Sequence, residues 1–355
     1  MGRADRGHKD SGLGLDIDYY HSSSPGVAAE EAEKIGLHLL KVLKNAKNEV
    51  SGENIAKEFG ISRTAVWKQV QKLRKAGYDI EARPSRGYRL VSTPDQLTKE
   101  ELEVSLPPEF FGHVFFCEKV SSTNDLAKQM AGSGKFDPVG LVVAEEQTGG
   151  RGRFRRVWTS PRGGIWMSLV VRPKISAGSA SRVALLAAVA VAEAIISSTS
   201  LPARIKWPND ILVNEKKVCG ILTEMAAEPG LVEYLVVGIG LNSNFEADRV
   251  EAHRTPVTTI QGELGRPIDR PKMISQIVVG LLNGLASLEK KEDQALIDRW
   301  RELSVTIGQD IQVQLAGRSI YGRAVDIDDD GSLMVELTSG ERRTFTAGEV
   351  SFGDN

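Results

Sequence analysis

Ser51, Gly60, Ser62 and Gly77 cut the chain before residue 80 into short helices that cannot stand alone, and this punctuation constrains the fold most. Glu31 to Ala46 carries apolar residues at Ile35, Leu39, Val42, Leu43 and Ala46, the period of a helix. Ser51 is placed to cap a second helix, Gly52 to Phe59, which Gly60 ends. Ser62 caps a third, running to about Ala76, with Ala65, Val66, Val70 and Leu73 on one stripe. Tyr78–Ala82 and Gly87–Val91 then read as two strands of a hairpin around Pro84-Ser85-Arg86-Gly87. Helix, helix, turn, helix and hairpin make a winged helix-turn-helix.

The charge of this segment points to its partner. From Lys57 to Leu90 there are nine basic residues and three acidic ones, in a chain whose net charge is −2. A basic module on an acidic body is the electrostatic footprint of DNA binding. The start of a recognition helix faces base edges. Here that start is Ser62, Arg63, Thr64, Lys68 and Gln69, with Lys72, Arg74 and the wing residue Arg86 placed for phosphates. The competing reading is a solvated basic face on a protein-docking module.

The rest of the 355 residues is long enough for two further domains. Residues 1–30 read as a flexible tail without the apolar stretch of a signal peptide, 31–93 as the winged helix, 95–303 as a mixed α/β region and 304–355 as a small barrel. The fold class is therefore α+β. In the middle region Leu141–Glu145, Ile165–Val171 and Leu235–Ile239 are strand-like, and Val183–Ile196 is apolar nearly all round, a buried helix. The barrel strands are Ile311–Leu315, Gly322–Ile327, Leu333–Leu337 and Arg342–Thr346. No run reaches the roughly 18 apolar residues of a membrane span. Two cysteines exclude a disulfide framework or a structural zinc site and fit a reducing cytoplasm.

Four segments of the middle region are polar where a core would be apolar. Ser121-Ser122-Thr123-Asn124-Asp125 is either a plain helix cap or a set of hydroxyls and amides converging on a polar ring. Residues 145–153, Glu-Glu-Gln-Thr-Gly-Gly-Arg-Gly-Arg, form a glycine-rich, arginine-bearing loop, either solvated or ordered by a ligand; the spacing fits no dinucleotide or phosphate loop. Lys206-Trp207-Pro208-Asn209-Asp210 precedes a hairpin of Ile211–Val213 and Val218–Leu222 through Asn214-Glu215. That hairpin brings Lys206, Asn209, Asp210 and Lys217 to one end of a sheet, suiting an anionic substrate with Mg²⁺. Gly238-Ile239-Gly240-Leu241-Asn242 is a strand whose glycines permit close approach. Gly132–Lys135 lacks the flanks of a phosphate loop, and Asp326–Gly331 reads as a hairpin turn rather than a calcium loop.

In order, the segments at 121–124, 145–153, 206–210, 216–222 and 238–242, preceded by the winged helix of 51–90, resemble the biotin–protein ligases of the repressor type. The resemblance implies two steps: biotin and ATP give biotinyl-5′-AMP, and biotin then passes to a lysine of a biotin carboxyl carrier protein. It implies that Lys217, Lys206 and Asp210 are catalytic, with Asp210 serving Mg²⁺. Biotin would be held by Ser122, Thr123, Asn124, Gln147, Arg151, Gly152, Arg153, Lys217, Gly220 and Gly238. ATP would be held by Arg153, Trp158, Lys206, Asn209 and Asn242. A homodimer holding the adenylate would bind a two-fold operator. The loop reads Phe154-Arg155 where a well-known repressor form has Arg-Gly, and Gly353 stands where such forms carry an Arg. A ligand sensor without ligase activity, and a ligase for a related acid such as lipoate, are the alternatives.

Overall fold

The computed structural model describes residues 27–46, 48–83, 86–94, 97–228, 231–250, 255–315 and 317–352. The expected tail up to residue 26 and Gly353 lie outside these. The chain divides into two compact units, Met1–Pro94 and Asp95–Asn355.

The first unit contains α1 (Val27–Asn45), α2 (Gly52–Glu58), α3 (Arg63–Lys75) and the antiparallel pair β1 (Asp79–Arg83) and β2 (Gly87–Ser92). Its caps are the ones the sequence signals. Ser51 accepts a hydrogen bond from the Asn54 amide and Ser62 one from the Ala65 amide, each satisfying a donor left open at a helix start. Leu39, Leu40, Leu43, Ile55, Val66, Val70, Tyr78 and Ile80 are buried together as a small core. Arg74 does not point outward for phosphate. Its guanidinium donates to the Ile80 carbonyl at 2.9 Å from Nε, tying α3 to β1.

The second unit is built on a seven-stranded mixed sheet in the order β3-β4-β5-β9-β8-β7-β6. Along the chain come α4 (Lys99–Ser105), β3 (Val114–Cys117), α5 (Thr123–Gly132), β4 (Val139–Ala144), β5 (Ile165–Val171), α6 (Ala180–Thr199), β6 (Ala203–Lys206), β7 (Asp210–Val213), β8 (Lys216–Glu228) and β9 (Leu231–Leu241). Three helices follow, α7 (Ile260–Leu264), α8 (Arg270–Glu289) and α9 (Gln294–Leu303). β3 and β4 are parallel; the other neighbours are antiparallel.

Strand alternation divides the sheet into two faces. Leu141, Val143, Met167, Leu169, Val237, Ile239, Ile221 and Ile211 join the core formed with α6 and α8. Val142, Val170 and Val236 face the other way, onto α5 through Ala127, Met130 and Ala131. The segment Ala177–Thr199 around α6 is long and apolar enough to cross a membrane by length and composition, contrary to the sequence expectation. The hydropathy window inside it is 67% buried in the protein, as befits a core helix.

The C-terminal part forms a five-stranded antiparallel sheet from β10 (Asp310–Leu315), β11 (Arg318–Ile327), β12 (Leu333–Leu337), β13 (Arg342–Phe345) and β14 (Glu349–Phe352), ordered β13-β12-β11-β10-β14. β14, which pairs with β10, is not among the strands read from the sequence. Asp328 to Ser332 is the hairpin turn expected there, with Asp328 Oδ1 accepting from the amides of Asp330 and Ser332. The Trp207 indole donates to the Gly331 carbonyl at 3.1 Å and joins this sheet to the larger one.

Candidate functional site

The α5 face of the large sheet is short of side chains beyond the end of that helix. Gly220 pairs with Gly240 across β8 and β9, and Leu222 and Ser168 flank Gly238 in the next row. The glycines are required by what lies on them. A Cβ at Gly238 would sit 2.1 Å from Asn124 Oδ1, one at Gly240 2.4 Å from Trp158 Nε1, and one at Gly220 3.0 Å from the same indole. The paired glycines thus form a floor onto which Asn124 and Trp158 settle.

At one end of this floor neutral polar groups converge. Ser122 caps α5, accepting from the Asp125 amide at 3.4 Å. Thr123 and Asn124, though polar, are buried in the first turn. The amide and hydroxyl of Thr123 both donate to Gln147 Oε1, at 2.8 and 3.1 Å. Gln147 Nε2 donates to Ser160 Oγ at 2.9 Å. Ser168 Oγ donates to Asn124 Oδ1 at 2.6 Å, and Asn124 Nδ2 donates to Glu224 Oε2 at 2.8 Å. Ser160, Ser168 and Glu224 escape sequence reasoning. Ser168 alone left a signal, as the single polar residue in the otherwise apolar run Ile165–Val171.

The other end is cationic. Lys206 closes β6 and is largely buried, with Nζ 3.4 Å from Thr255 Oγ1 and 5.0 Å from the Phe352 ring centre. Lys217, on the hairpin partner of β7, forms an ion pair with Asp210 Oδ1 at 2.7 Å and lies 5.1 Å over the Trp158 ring. Asn209 Nδ2 donates to the Ile221 carbonyl at 2.7 Å. Burial lowers the pKa of Arg153, with Asp210 and Glu349 opposing the shift. The Arg153 guanidinium donates to the Gly348 carbonyl at 3.2 Å. The hairpin turns at Asn214 and Glu215 with positive φ at both, which delivers Lys217 beside Asp210.

The glycine-rich loop lies between the two ends and is anchored on both sides. Arg151 grips Asp125 of α5 through two bonds of 2.6 and 2.5 Å, and this contact holds the Asp125 carboxyl below its usual range. Arg156 makes a two-pronged contact with Glu349 of β14. Between them Phe154 and Arg155 both take left-handed backbone angles, φ 55° and 58°.

Both ends and the loop line one cavity. Ser122, Thr123, Asn124, Gln147, Arg151, Gly152, Arg153, Trp158, Lys206, Asn209, Asp210, Lys217, Gly220 and Gly238 all reach it. Asn242 does not; it is buried behind β9, its Nδ2 donating to the Thr258 carbonyl at 3.1 Å. Among the described residues the buried Trp158 Nε1 has no hydrogen-bond partner; it lies against Gly240 in the floor. Such a cavity suits a ligand with a polar neutral head and an anionic tail.

In the first unit, Arg63, Thr64, Lys68 and Lys72 share the exposed side of α3, and Arg86 is exposed after β1. Gln69 is not with them. It is half-buried, and its Oε1 would be 3.3 Å from a Cβ placed at Gly36 of α1.

Residues 116–242 match the Biotin/lipoate A/B protein ligase family, residues 37–89 an HTH domain, and residues 306–353 the Biotin protein ligase C terminal domain. The chain is 38% identical to the bifunctional ligase/repressor BirA of Bacillus subtilis (strain 168) over 313 residues, 87% of this chain and 96% of the relative. It is 28% identical to the protein of the same name from Escherichia coli (strain K12), over 89% of this chain and 97% of that one. Among solved structures it is similar to a single-substitution mutant of a biotin protein ligase from Aquifex aeolicus in complex with biotin. There the TM-score is 0.57 at 25% identity, covering 69% of this chain and 100% of that chain.

Proposed function

The chain belongs to the bifunctional ligase/repressor family of biotin–protein ligases, and on that premise we infer that it joins biotin to ATP, passes biotin to a carrier-protein lysine, and represses transcription through α3. The observation that carries the enzymatic part is a single cavity with neutral amides at one end and Lys206, Lys217 and Arg153 at the other. In the first step a biotin carboxylate oxygen attacks the α-phosphorus of ATP and pyrophosphate leaves. Two anions must approach, and fixed cations lower that barrier. Lys217 is the cation at the junction of the two ends, and Lys206 and Arg153 serve the phosphates. Ser122, Thr123, Asn124 and Gln147 hold the ureido ring, and Arg151 and Gly152 cover it. Trp158 contacts the adenylate over the floor of Gly220 and Gly240. In the second step the carrier's lysine amine attacks the acyl carbon and AMP leaves. The anchored loop keeps water from the mixed anhydride.

Mg²⁺ entering with ATP would neutralise phosphate charge, and Asp210 is the carboxylate placed to hold it. Among the described residues no three His, Cys, Asp or Glu side chains gather, so the remaining ligands would be phosphate oxygens and water. Binding of the adenylate brings two copies together, so that two α3 helices meet a two-fold operator. Two free, buried cysteines suit a reducing cytoplasm.

The test is incubation of the full chain with biotin, ATP, Mg²⁺ and a carrier domain. Biotin on a single carrier lysine is the expected result. Transfer of lipoate instead selects a lipoate ligase, and no transfer of either acid leaves only a ligand sensor.

A further inference from the structure

The exposed side of α3 is two parallel rows. Arg63, Trp67 and Lys75 follow one row at four-residue spacing with the half-buried Gln71 between the last two, and Thr64, Lys68 and Lys72 lie alongside. Every member except Trp67 is polar or basic. Trp67 is 52% exposed, while Val66 and Val70 on the opposite side are buried in the unit's own core. Leaving half an indole in water forgoes burial, and the small first unit has little apolar area to spare. A basic row with one aromatic side chain in it is complementary to a polyanion carrying an isolated apolar group. The DNA major groove has that character. Its floor is polar except for the C5-methyl of thymine, while phosphates line its rims. Lys72 and Lys75, one and two turns further on, are spaced for the rims, where contacts position the helix without reading sequence.

We propose that Trp67 is a specificity-determining residue of the operator contact, packing its indole on a thymine methyl in each half-site. This deepens the repressor reading and rests on it. Gln69, turned toward α1, does not supply the base contact that its sequence position suggests, and Trp67 stands on the face that does.

The experiment uses the full chain with biotin, ATP and Mg²⁺ to enrich duplexes from a random pool. Affinity for the enriched site is then measured against salt. Each thymine of that site is replaced in turn by deoxyuridine, which removes only the methyl. One thymine per half-site is expected at which uracil weakens the wild-type protein about fivefold, within the range of a single altered base contact. Trp67→Ala is expected to bind the thymine site about tenfold more weakly, to be indifferent to uracil there, and to keep the wild-type salt slope and ligation rate. Trp67→Phe is expected to recover part of the thymine preference. The proposal is overturned if Trp67→Ala enriches the same sites with the same affinity, or if no single thymine is sensed by the wild-type protein. Failure of the wild-type protein to enrich any sequence removes the repressor reading itself, which the normal enrichment but altered preference of the variant does not.

Discussion

A methyl group at position 238 would meet Asn124 at 2.1 Å from Oδ1 and 2.8 Å from Cγ. Neither can be accommodated, because Asn124 is held by Ser168 on one side and Glu224 on the other. Gly238→Ala should therefore swing Asn124 out of place and cost roughly 2–3 kcal/mol in biotin binding, the value of a lost hydrogen-bonding group plus strain. A biotin KM raised about 50-fold with a smaller change in kcat would confirm it, and an unchanged KM would refute it. Lys217 belongs to the other end. On the proposed mechanism Lys217→Ala removes a cation from the meeting point of two anions, and it leaves Asp210 without its ion-pair partner. Adenylate formation should fall about 10²–10³-fold, as when a fixed transition-state donor is removed. Single-turnover pyrophosphate release measures this step directly, and a wild-type rate there would deny Lys217 its role.

Between elements, a buried ion pair holds the site in shape. Arg270, the first residue of α8, reaches Glu145 at the end of β4 with an Nη1–Oε1 distance of 2.9 Å, and both side chains are buried. Glu145 also accepts from the Gly163 amide, and Arg270 donates to the Gly164 carbonyl. Together they fix the stem of the glycine-rich loop and the turn before β5. Arg270→Ala would strand a buried carboxylate, so denaturant unfolding of the second unit should lose about 3–5 kcal/mol. A loss below about 1 kcal/mol would show that Glu145 finds water instead. This pair was not legible in the sequence, since residues 125 apart announce their pairing only through the fold. The same holds for Ser160 and Glu224, and for the pairing of β14 with β10. What was legible is local: caps at Ser51, Ser62 and Ser122, the turn at Asn214-Glu215, and the strands that stand out as apolar or alternating runs, such as β4, β5 and β9. Gln69 and Arg74 show the limit of that reading. One turn of helix decides between a base and the helix's own neighbours, and spacing alone does not fix how a helix is rotated against what it packs on.

At the scale of the whole molecule the two units each bury their own apolar residues, as independently folding domains do. The chain from Asp95 onward should thus ligate biotin to a carrier at close to the full-length rate and bind no operator. Arg63→Ala in the full chain should lose the operator and keep ligation. A catalytically dead truncation would mean that the first unit contributes to the chemistry. Within the second unit the cavity draws on residues from Ser122 to Val350. Its far wall is β14, which pairs with β10 and whose Glu349 holds Arg156. A nascent polypeptide on the ribosome therefore acquires its DNA-reading head long before its active centre is walled in. A stop codon or frameshift just upstream of Gly348 would release a product whose helix-turn-helix is intact but whose catalytic pocket is open on the β14 side, unable to shield a reactive intermediate.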